Sequence, residues 1–243
     1  MKACVAVFKR ELKSYFATPV AYVFLVIFLF FTGYLPFRQG FFETRQADLQ
    51  LFFRNFPLLF VFLVPCVAMR LWAEERKSGS IELLFTLPIT PRQAVMGKFF
   101  AAWFFLLIAL LLTVTMPLTV MYLGEPDIGL ILTGYLGTIL MAGAFLAVGC
   151  FFSALTKNQV ISFILSVTAL AILVYAGMPT TLNYLSGFLP AGLVSAVEGM
   201  SFLTHFESLQ KGLIQLPDIL YFVFLILGWI FACIIVLDER KAG

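Results

Sequence analysis

Long apolar runs are the feature that most constrains how this chain can fold. Six of them approach or exceed the roughly 20 residues that an α-helix needs to cross about 30 Å of hydrocarbon. Their residues do not alternate between apolar and polar, as the strands of a membrane barrel do. Because backbone groups in lipid must be satisfied internally, the sequence predicts an all-α, polytopic membrane helical bundle with six transmembrane helices. The predicted spans are Val20–Phe37, Phe52–Leu71, Lys98–Leu123, Gly129–Leu155, Gln159–Met178 and Ile219–Leu237.

The composition points the same way. Hydrophobic residues fill 62% of the 243 positions, charged residues fill 12%, and the mean hydropathy is +1.02. A soluble domain is roughly 45–50% apolar and about 25% charged. The bilayer is therefore the expected solvent for most of the chain. No repeat, low-complexity tract or soluble domain interrupts it, and we treat residues 1–243 as a single transmembrane domain.

The second span is the weakest of the six. Arg54 lies inside it and Pro65 interrupts it. An arginine near the end of a span can extend its guanidinium to the interface, and proline is tolerated in membrane helices. We therefore retain this span.

Residues 1–19 predict an interfacial amphipathic helix that ends at Pro19. Charged residues interrupt it and no small-residue cleavage site follows an apolar core, so we expect no cleavable signal peptide. Lys9, Glu11 and Lys13 fall away from its apolar face. The alternative is a short juxtamembrane tail. The apolar face comprises Val5, Phe8, Leu12, Tyr15 and Phe16.

The distribution of basic residues predicts the orientation. Lysine and arginine concentrate on the cytoplasmic side of membrane proteins, whereas acidic residues have little influence. With a cytoplasmic N-terminus, twelve basic residues fall inside and four outside, so both termini are expected in the cytoplasm. The four outer residues are Arg38, Arg45, Arg54 and Lys211.

Several other kinds of site are not expected. The four cysteines are widely separated and lack CxxC spacing, which argues against a disulfide framework or a zinc site. A net charge of +3 is too small to indicate nucleic-acid binding. Gly97-Lys98 does not form a nucleotide-binding loop, because Arg92 and Phe99 occupy the positions where that loop needs glycine and a hydroxyl residue.

The predicted spans also carry no Asp, Glu, Lys or His near their middles. Ion-coupled transporters and proton pumps need such groups for their relays. We therefore expect energy to come from outside this chain.

The segment 72–92, between the second and third spans, carries the most informative pattern. Glu74–Lys77 predict a charged helical exit from the membrane, and Ser78-Gly79 a helix breaker, with Ser80 as a possible N-cap. Thr90-Pro91 is typical of a cap at the start of the next helix.

A short second helix is predicted over Ile81–Leu87, stopped by Pro88. Ile81, Leu84 and Phe85 share one of its faces. An apolar face between hinges and charges of both signs suits docking into a groove on a soluble partner. The alternative is a helix lying flat on the membrane.

This region resembles the coupling-helix region of ABC-2 transporter permeases, and the resemblance extends along nearly the whole chain. The finer details are most similar to the permeases of gliding-motility-type ABC systems. The residues that carry the resemblance are 73–84 (AEERKSGSIELL), 87–90 (LPIT), 97–98 (GK), 8–16 (FKRELKSYF), 153–159 (SALTKNQ), 205–207 (HFE) and 211–214 (KGLI).

The resemblance implies a transmembrane permease subunit of an ATP-binding cassette exporter in the bacterial inner membrane. Such a chain has no ATPase site or cofactor of its own. It would couple ATP hydrolysis by a separate subunit to substrate export or mechanical work. The implied partners are two ATPase copies that bind ATP and Mg²⁺ and a second permease copy or paralogue, with an external accessory subunit left open.

The resemblance also implies which residues contact the ATPase. Glu74, Glu75 and Arg76 would supply polar contacts, and Ile81, Leu84 and Leu87 an apolar plug. The full implied set is Glu74, Glu75, Arg76, Gly79, Ile81, Glu82, Leu84, Leu87 and Pro88.

The external stretch 179–218 is too long for a tight turn. By resemblance, it forms short helices that dip back toward the membrane and close the outer end of the pathway. His205, the only histidine, lies in it with Glu207. A catalytic or metal role for His205 would need partners supplied by the fold; the alternative is a structural histidine.

Two other function classes remain open. A polytopic membrane enzyme, such as a lipid-modifying hydrolase, would need a nucleophile motif, a metal cluster or paired intramembrane acids, and none is visible. A non-transporting anchor driven by the same ATPase is not distinguishable by sequence. The aromatic content of 16% suits a lipid, a hydrophobic peptide or a polymer as substrate.

Overall fold

The computed structural model describes residues 2–41, 48–81, 89–187 and 190–242, and this part of the chain is helical without strands. The all-α prediction is therefore confirmed. The helices are α1 (Lys2–Ala17), α2 (Pro19–Arg38), α3 (Gln50–Arg54), α4 (Phe56–Ala68), α5 (Arg70–Ser78), α6 (Pro91–Leu112), α7 (Thr115–Leu123), α8 (Ile128–Leu155), α9 (Gln159–Ala176), α10 (Pro179–Ser186), α11 (Ala191–Gly199), α12 (Phe202–Gln210) and α13 (Leu216–Ala242).

Six helical stretches in the described residues are long and apolar enough to cross a membrane, which confirms the predicted number of spans. The second comprises α4 followed directly by α5, and the third comprises α6 followed by α7. The six stretches are Pro19–Arg38, Phe56–Ser78, Pro91–Leu123, Ile128–Leu155, Gln159–Ala176 and Leu216–Glu239.

Two predicted boundaries were wrong in an informative way. Arg54 lies outside the second span, in the separate helix α3, and its side chain is exposed. The third span starts at Pro91 rather than Lys98, because Thr90 caps the helix there. Lys98 is consequently two turns inside an apolar helix, with only 2% of its surface exposed.

The third span is interrupted between α6 and α7, and Pro117 explains the interruption. Proline has no N–H to donate to the carbonyl four residues earlier, which is that of Thr113. The helix breaks at Thr113, whose hydroxyl contacts the Tyr135 hydroxyl of α8 at 2.9 Å. A helix-to-helix hydrogen bond thus forms where the regular ladder is interrupted.

The centre of the bundle is α8, which packs against α4, α6, α9, α12 and α13. At about 1.5 Å per residue its 28 residues are about 42 Å long. Two glycines permit close approach: a Cβ at Gly149 would lie 2.4 Å from that of Ala68, and one at Gly134 would lie 2.5 Å from the Phe53 ring. Small residues at such contacts are typical of membrane helix pairs.

The predicted N-terminal helix is α1, and it lies along α6. Tyr15 stacks on Phe105 of α6 with ring centroids 5.2 Å apart. The predicted apolar face was only partly right, because Val7 is buried whereas Val5 is 50% exposed. Contact with α6, rather than with lipid alone, therefore determines which side of α1 is covered.

The stretch 179–218, predicted to be external, contains the three short helices α10, α11 and α12. Of these, α12 packs on α8 through Phe206 and Leu209, and the Gln210 side chain donates to the Gln50 carbonyl at 2.6 Å. Its dipping into a membrane stays a prediction. The helix α12 lies near the start of α8, whereas α5 lies near its end.

Candidate functional site

The helix α5 carries the first half of the predicted coupling segment. It ends at Gly79, whose φ of 73° lies in the left-handed region that glycine adopts at helix C-termini. This confirms the breaker at Ser78-Gly79. The Ser80 hydroxyl donates back to the Glu75 carbonyl at 3.5 Å. The N–H groups that it would accept as an N-cap belong to residues 82 and 83, outside the described residues, so this N-cap stays a prediction.

The second half of the segment returns to the bundle at a well-defined cap. The Thr90 hydroxyl accepts from the Gln93 backbone N–H at 3.3 Å, and the Gln93 side chain accepts from the Thr90 N–H at 3.2 Å. Pro91 occupies the first turn of α6. The predicted cap at Thr90-Pro91 is thus confirmed. Residues 82–88 are consequently flanked by α5 on one side and by the capped start of α6 on the other.

Some of the predicted ATPase contacts lie outside the described residues. Ile81, at the edge, is partly buried and packs against the hydrophobic core. The predicted helix over Ile81–Leu87 therefore stays a prediction. The predicted contacts outside the described residues are Glu82, Leu84, Leu87 and Pro88.

An ion cluster centred on the buried Lys98 lies just inside this segment. The Lys98 Nζ of α6 lies 2.8 Å from Glu75 Oε1 of α5 and 3.2 Å from Glu11 Oε1 of α1. Arg10 lies 2.7 Å from Glu11 and 3.6 Å from Glu75. Two cations and two carboxylates thus compensate one another, as buried charges require. The Lys98 ammonium also lies 5.1 Å from the centre of the Trp72 ring.

The local sequence explains how three helices meet at Lys98. Gly97 allows α1 to approach α6 closely, because a Cβ there would lie 2.8 Å from that of Val7. This approach brings the Glu11 carboxylate to the Lys98 ammonium. Burial alone would raise the pKa of Glu11, but Lys98 and Arg10 together hold that pKa below its ordinary value. Glu11 is therefore stabilised as a carboxylate.

A second set of contacts fixes α5 to α8. The Ser153 hydroxyl accepts from the backbone N–H groups of Trp72 and Ala73 at 3.0 and 3.1 Å and donates to the Met69 carbonyl at 3.0 Å. These are backbone groups at the α4–α5 junction and in the first turn of α5, which lack helical partners. The junction is therefore bonded by one buried hydroxyl. The Trp72 indole N–H also lies 3.4 Å from Cys150 Sγ.

Arg76 completes this attachment. Its Nη1 donates to the Ala154 carbonyl at 2.6 Å, near the C-terminus of α8. A cation there is favoured by the unpaired carbonyls and by the helix dipole. The helix α5 is therefore bonded to α1, α6 and α8.

The predicted polar contacts consequently fall into two groups. Glu75 and Arg76 point into the bundle, where the structure bonds them to Lys98 and to the end of α8. Glu74 is exposed on the other side of α5 and pairs with Arg70 at 3.0 Å. Contact of all three residues with an ATPase stays a prediction. The geometry leaves Glu74 the most accessible.

Sequence reasoning missed Lys98, Glu11 and Ser153 as members of the site. Lys98 was placed at the very start of a span, where a lysine needs no explanation, and Glu11 was assigned to the polar side of α1. The signal that could have found them is the cost of an ionisable residue inside an apolar helix, which demands a partner. Because Thr90-Pro91 marks the true start of the helix, it shows that Lys98 lies inside the helix and needs a partner.

A second polar cluster lies at the opposite end of α8. His205 Nδ1 lies 2.6 Å from Asp218 Oδ1, and its Nε2 lies 3.0 Å from the Gly199 carbonyl oxygen. The imidazole thus bridges a carboxylate and a backbone carbonyl, and its tautomer sets which ring nitrogen donates. The Tyr221 ring stacks on the imidazole at 4.0 Å, and its hydroxyl donates to the Met200 carbonyl. This places His205 in a structural cluster that joins α12 to α13.

The described residues contain no group of three or more His, Cys, Asp or Glu side chains placed to hold a metal ion. The comparisons with known proteins are consistent with a transport role. No curated protein matches the chain. The family model described as ABC-2 family transporter protein matches residues 8–173, which is more than half of the chain and includes the Lys98 cluster and α5. The chain therefore belongs to the ABC-2 family of transporter proteins and is a multi-pass permease component of an ABC transporter.

Proposed function

We propose that this permease couples ATP hydrolysis by a separate ATPase subunit to substrate export or mechanical work across the bacterial inner membrane. Membership of the ABC-2 family implies partnership with an ABC ATPase subunit. We further propose two ATPase copies that bind ATP and Mg²⁺, and a second permease copy or paralogue. The gliding-motility-type subgroup is part of this proposal and depends on the sequence resemblance given above.

The attachment of α5 is the observation that carries the proposal. This helix forms the last turns of the second span and leads directly into residues 82–88. It is bonded to α1 and α6 through Glu75 and to α8 through Trp72 and Arg76. A force applied to residues 82–88 would therefore move several helices together rather than bend one loop.

We propose that the docking contacts are made by Glu74, Gly79 and Ile81, together with Glu82, Leu84, Leu87 and Pro88. Glu75 and Arg76 would then hold α5 at the angle that presents this segment. ATP-driven closure of the ATPases would push on the segment, and rigid tilting of the spans would open the opposite end of the bundle. Such a change is a population shift driven by different contacts in two states.

The test of docking is Leu84→Asp. Burying a leucine-sized side chain is worth roughly 1.5–3 kcal/mol, and each 1.4 kcal/mol changes an equilibrium about tenfold. We expect Leu84→Asp to weaken co-purification of the ATPase at least about tenfold. The control is Glu239→Lys, a charge change at an exposed position near the end of α13, which should cost much less.

Both variants must first reach the membrane at wild-type levels. The assignment is contradicted if Leu84→Asp retains its ATPase fully while Glu239→Lys loses it. That result would favour the alternative in which residues 81–87 lie on the membrane surface.

The proposed orientation has its own test. In a background without the four native cysteines, Ser80→Cys and Ser186→Cys place single thiols just after α5 and at the end of α10. A membrane-impermeant thiol reagent applied to intact cells should label only the second, since Ser80 is expected in the cytoplasm. The opposite pattern would overturn the twelve-to-four charge argument.

A further inference from the structure

An apolar groove opens on the side of the bundle between α2 and α4. It has a volume of about 230 Å³, and Phe105 of α6 contributes to its lining. Its walls include Val23 and Phe24 of α2 and Leu63 and Val67 of α4. Val20 and Val23 in its lining are 51% and 57% exposed, so this groove opens to the surroundings of a membrane span rather than to the protein interior.

A polar pocket adjoins the groove and lies next to the ion cluster. This second cavity, of about 70 Å³, is lined by Glu11, Ser14 and Glu74 and shares Tyr15, Thr18 and Arg70 with the groove. An apolar slot that ends in a charged pocket matches the two parts of an amphiphile. The junction between them is formed by Arg70.

Arg70 has hydrogen-bonding capacity left over at this junction. Its Nε donates to Glu74 Oε2 at 3.0 Å, whereas its two Nη nitrogens form no hydrogen bond with any described residue. The side chain is 29% exposed. A planar guanidinium with free donors is well suited to a phosphate group.

We propose that this paired cavity binds a phospholipid with an amine headgroup. An acyl chain occupies the groove, the phosphate contacts the Nη nitrogens of Arg70, and the ammonium faces the exposed carboxylate of Glu74. The amine is favoured because Glu74 and Glu11 both line the polar pocket, where an anionic headgroup would meet like charge. The bound lipid is a resident of the permease, distinct from whatever it transports, and the inference requires only that the chain spans a membrane.

The experiment measures lipid adducts on the intact chain by native mass spectrometry. The protein is delipidated in detergent and then offered phosphatidylethanolamine and phosphatidylglycerol with identical acyl chains. We expect the wild type to retain phosphatidylethanolamine in preference, and Arg70→Gln to reduce that adduct at least about tenfold. Glu74→Gln should level or reverse the preference between the two lipids, because it removes the partner of the ammonium.

A matched pair tests the groove. Val23→Trp fills its wall at a position that is already 57% exposed, whereas Leu111→Trp adds the same ring at a 67% exposed position of α6 outside the groove. Only Val23→Trp should abolish the adduct. Equal retention of both lipids by the wild type, or an unchanged adduct in Arg70→Gln or Val23→Trp, would overturn the proposal and indicate ordinary surrounding lipid.

A measurement that depends on no groove substitution complements these variants. Cys66 lines the groove, and the buried thiols Cys150 and Cys233 lie elsewhere. In a Cys4→Ser background, phosphatidylethanolamine should slow alkylation of Cys66 by a small maleimide more than phosphatidylglycerol does. Equal protection by the two lipids would contradict the headgroup assignment.

Discussion

Replacing Lys98 by methionine is the sharpest perturbation of the ion cluster. Methionine keeps a long apolar chain inside α6 but removes the charge shared by Glu75 and Glu11. The two carboxylate oxygens lie at most about 6 Å apart, given their distances of 2.8 and 3.2 Å to the common nitrogen. At an effective dielectric constant of about 20, two such charges repel each other by about 3 kcal/mol.

The expected loss of stability follows from this geometry. Removing one partner of a buried ion pair typically costs about 3–5 kcal/mol. The second oxygen of Glu75 is buried and forms no hydrogen bond with the described residues, so it has no alternative partner there. For a chain of this length each kcal/mol shifts the melting temperature by about 2–4 °C, and we expect a decrease of about 6–20 °C.

The assay is the fraction of detergent-solubilised protein that stays monodisperse after heating. Lys77→Met is the matched control, since Lys77 is exposed on α5 and makes no ion pair with the described residues. Adding Glu11→Gln and Glu75→Gln to Lys98→Met should restore more than half of the loss, because the carboxylates no longer repel. A Lys98→Met variant as stable as Lys77→Met, or one that the two glutamines fail to rescue, would refute this reasoning.

Three further outcomes are expected. Ser153→Ala should lower stability by about 1–3 kcal/mol, since it leaves buried backbone groups at the start of α5 without their partner, as read by the same melting assay. Because its pKa is lowered, Glu11 stabilises the fold at pH values above its ordinary pKa of 4.5. This contribution is lost as the pH falls through the lowered pKa. In a pH series, acidification should therefore lower the stability of Glu11→Gln less than that of the wild type. Equal losses of stability would contradict the ion pair between Glu11 and Lys98. Asp218→Asn should loosen the contact of α12 with α13, measured as faster hydrogen exchange at residues 202–210. Unchanged exchange would show that His205 does not need the Asp218 carboxylate to join the two helices.

The sequence predicted what is encoded locally. The number of spans follows from runs of apolar residues, and the cap at Thr90 and the break at Gly79 follow from residues that are neighbours in the chain. The Lys98 cluster joins residues 11, 75 and 98 on three helices, and no local pattern reports which carboxylate meets which lysine. For the same reason the partner of His205 was missed, because Asp218 lies 13 residues further along the stretch 179–218 and no local pattern pairs the two.

The N-terminal helix shows how packing overrides periodicity. Its apolar residues predicted one face, but Gly97 lets α1 lie so close to α6 that Val7 and Glu11 join the covered side, whereas Val5 is left exposed. A glycine in a neighbouring helix permits this contact, and the amphipathic pattern of α1 does not contain that information.

The most direct test of the central claim is nucleotide hydrolysis by the purified permease with and without its soluble partner. The chain alone should neither bind nor hydrolyse ATP, since Arg92 and Phe99 stand where a phosphate-binding loop needs glycine and a hydroxyl residue. Hydrolysis should appear when an ATPase subunit co-purifies, and Leu84→Asp should remove both the subunit and the activity. Measurable ATP binding by the isolated chain would contradict a permease that depends on a separate ATPase.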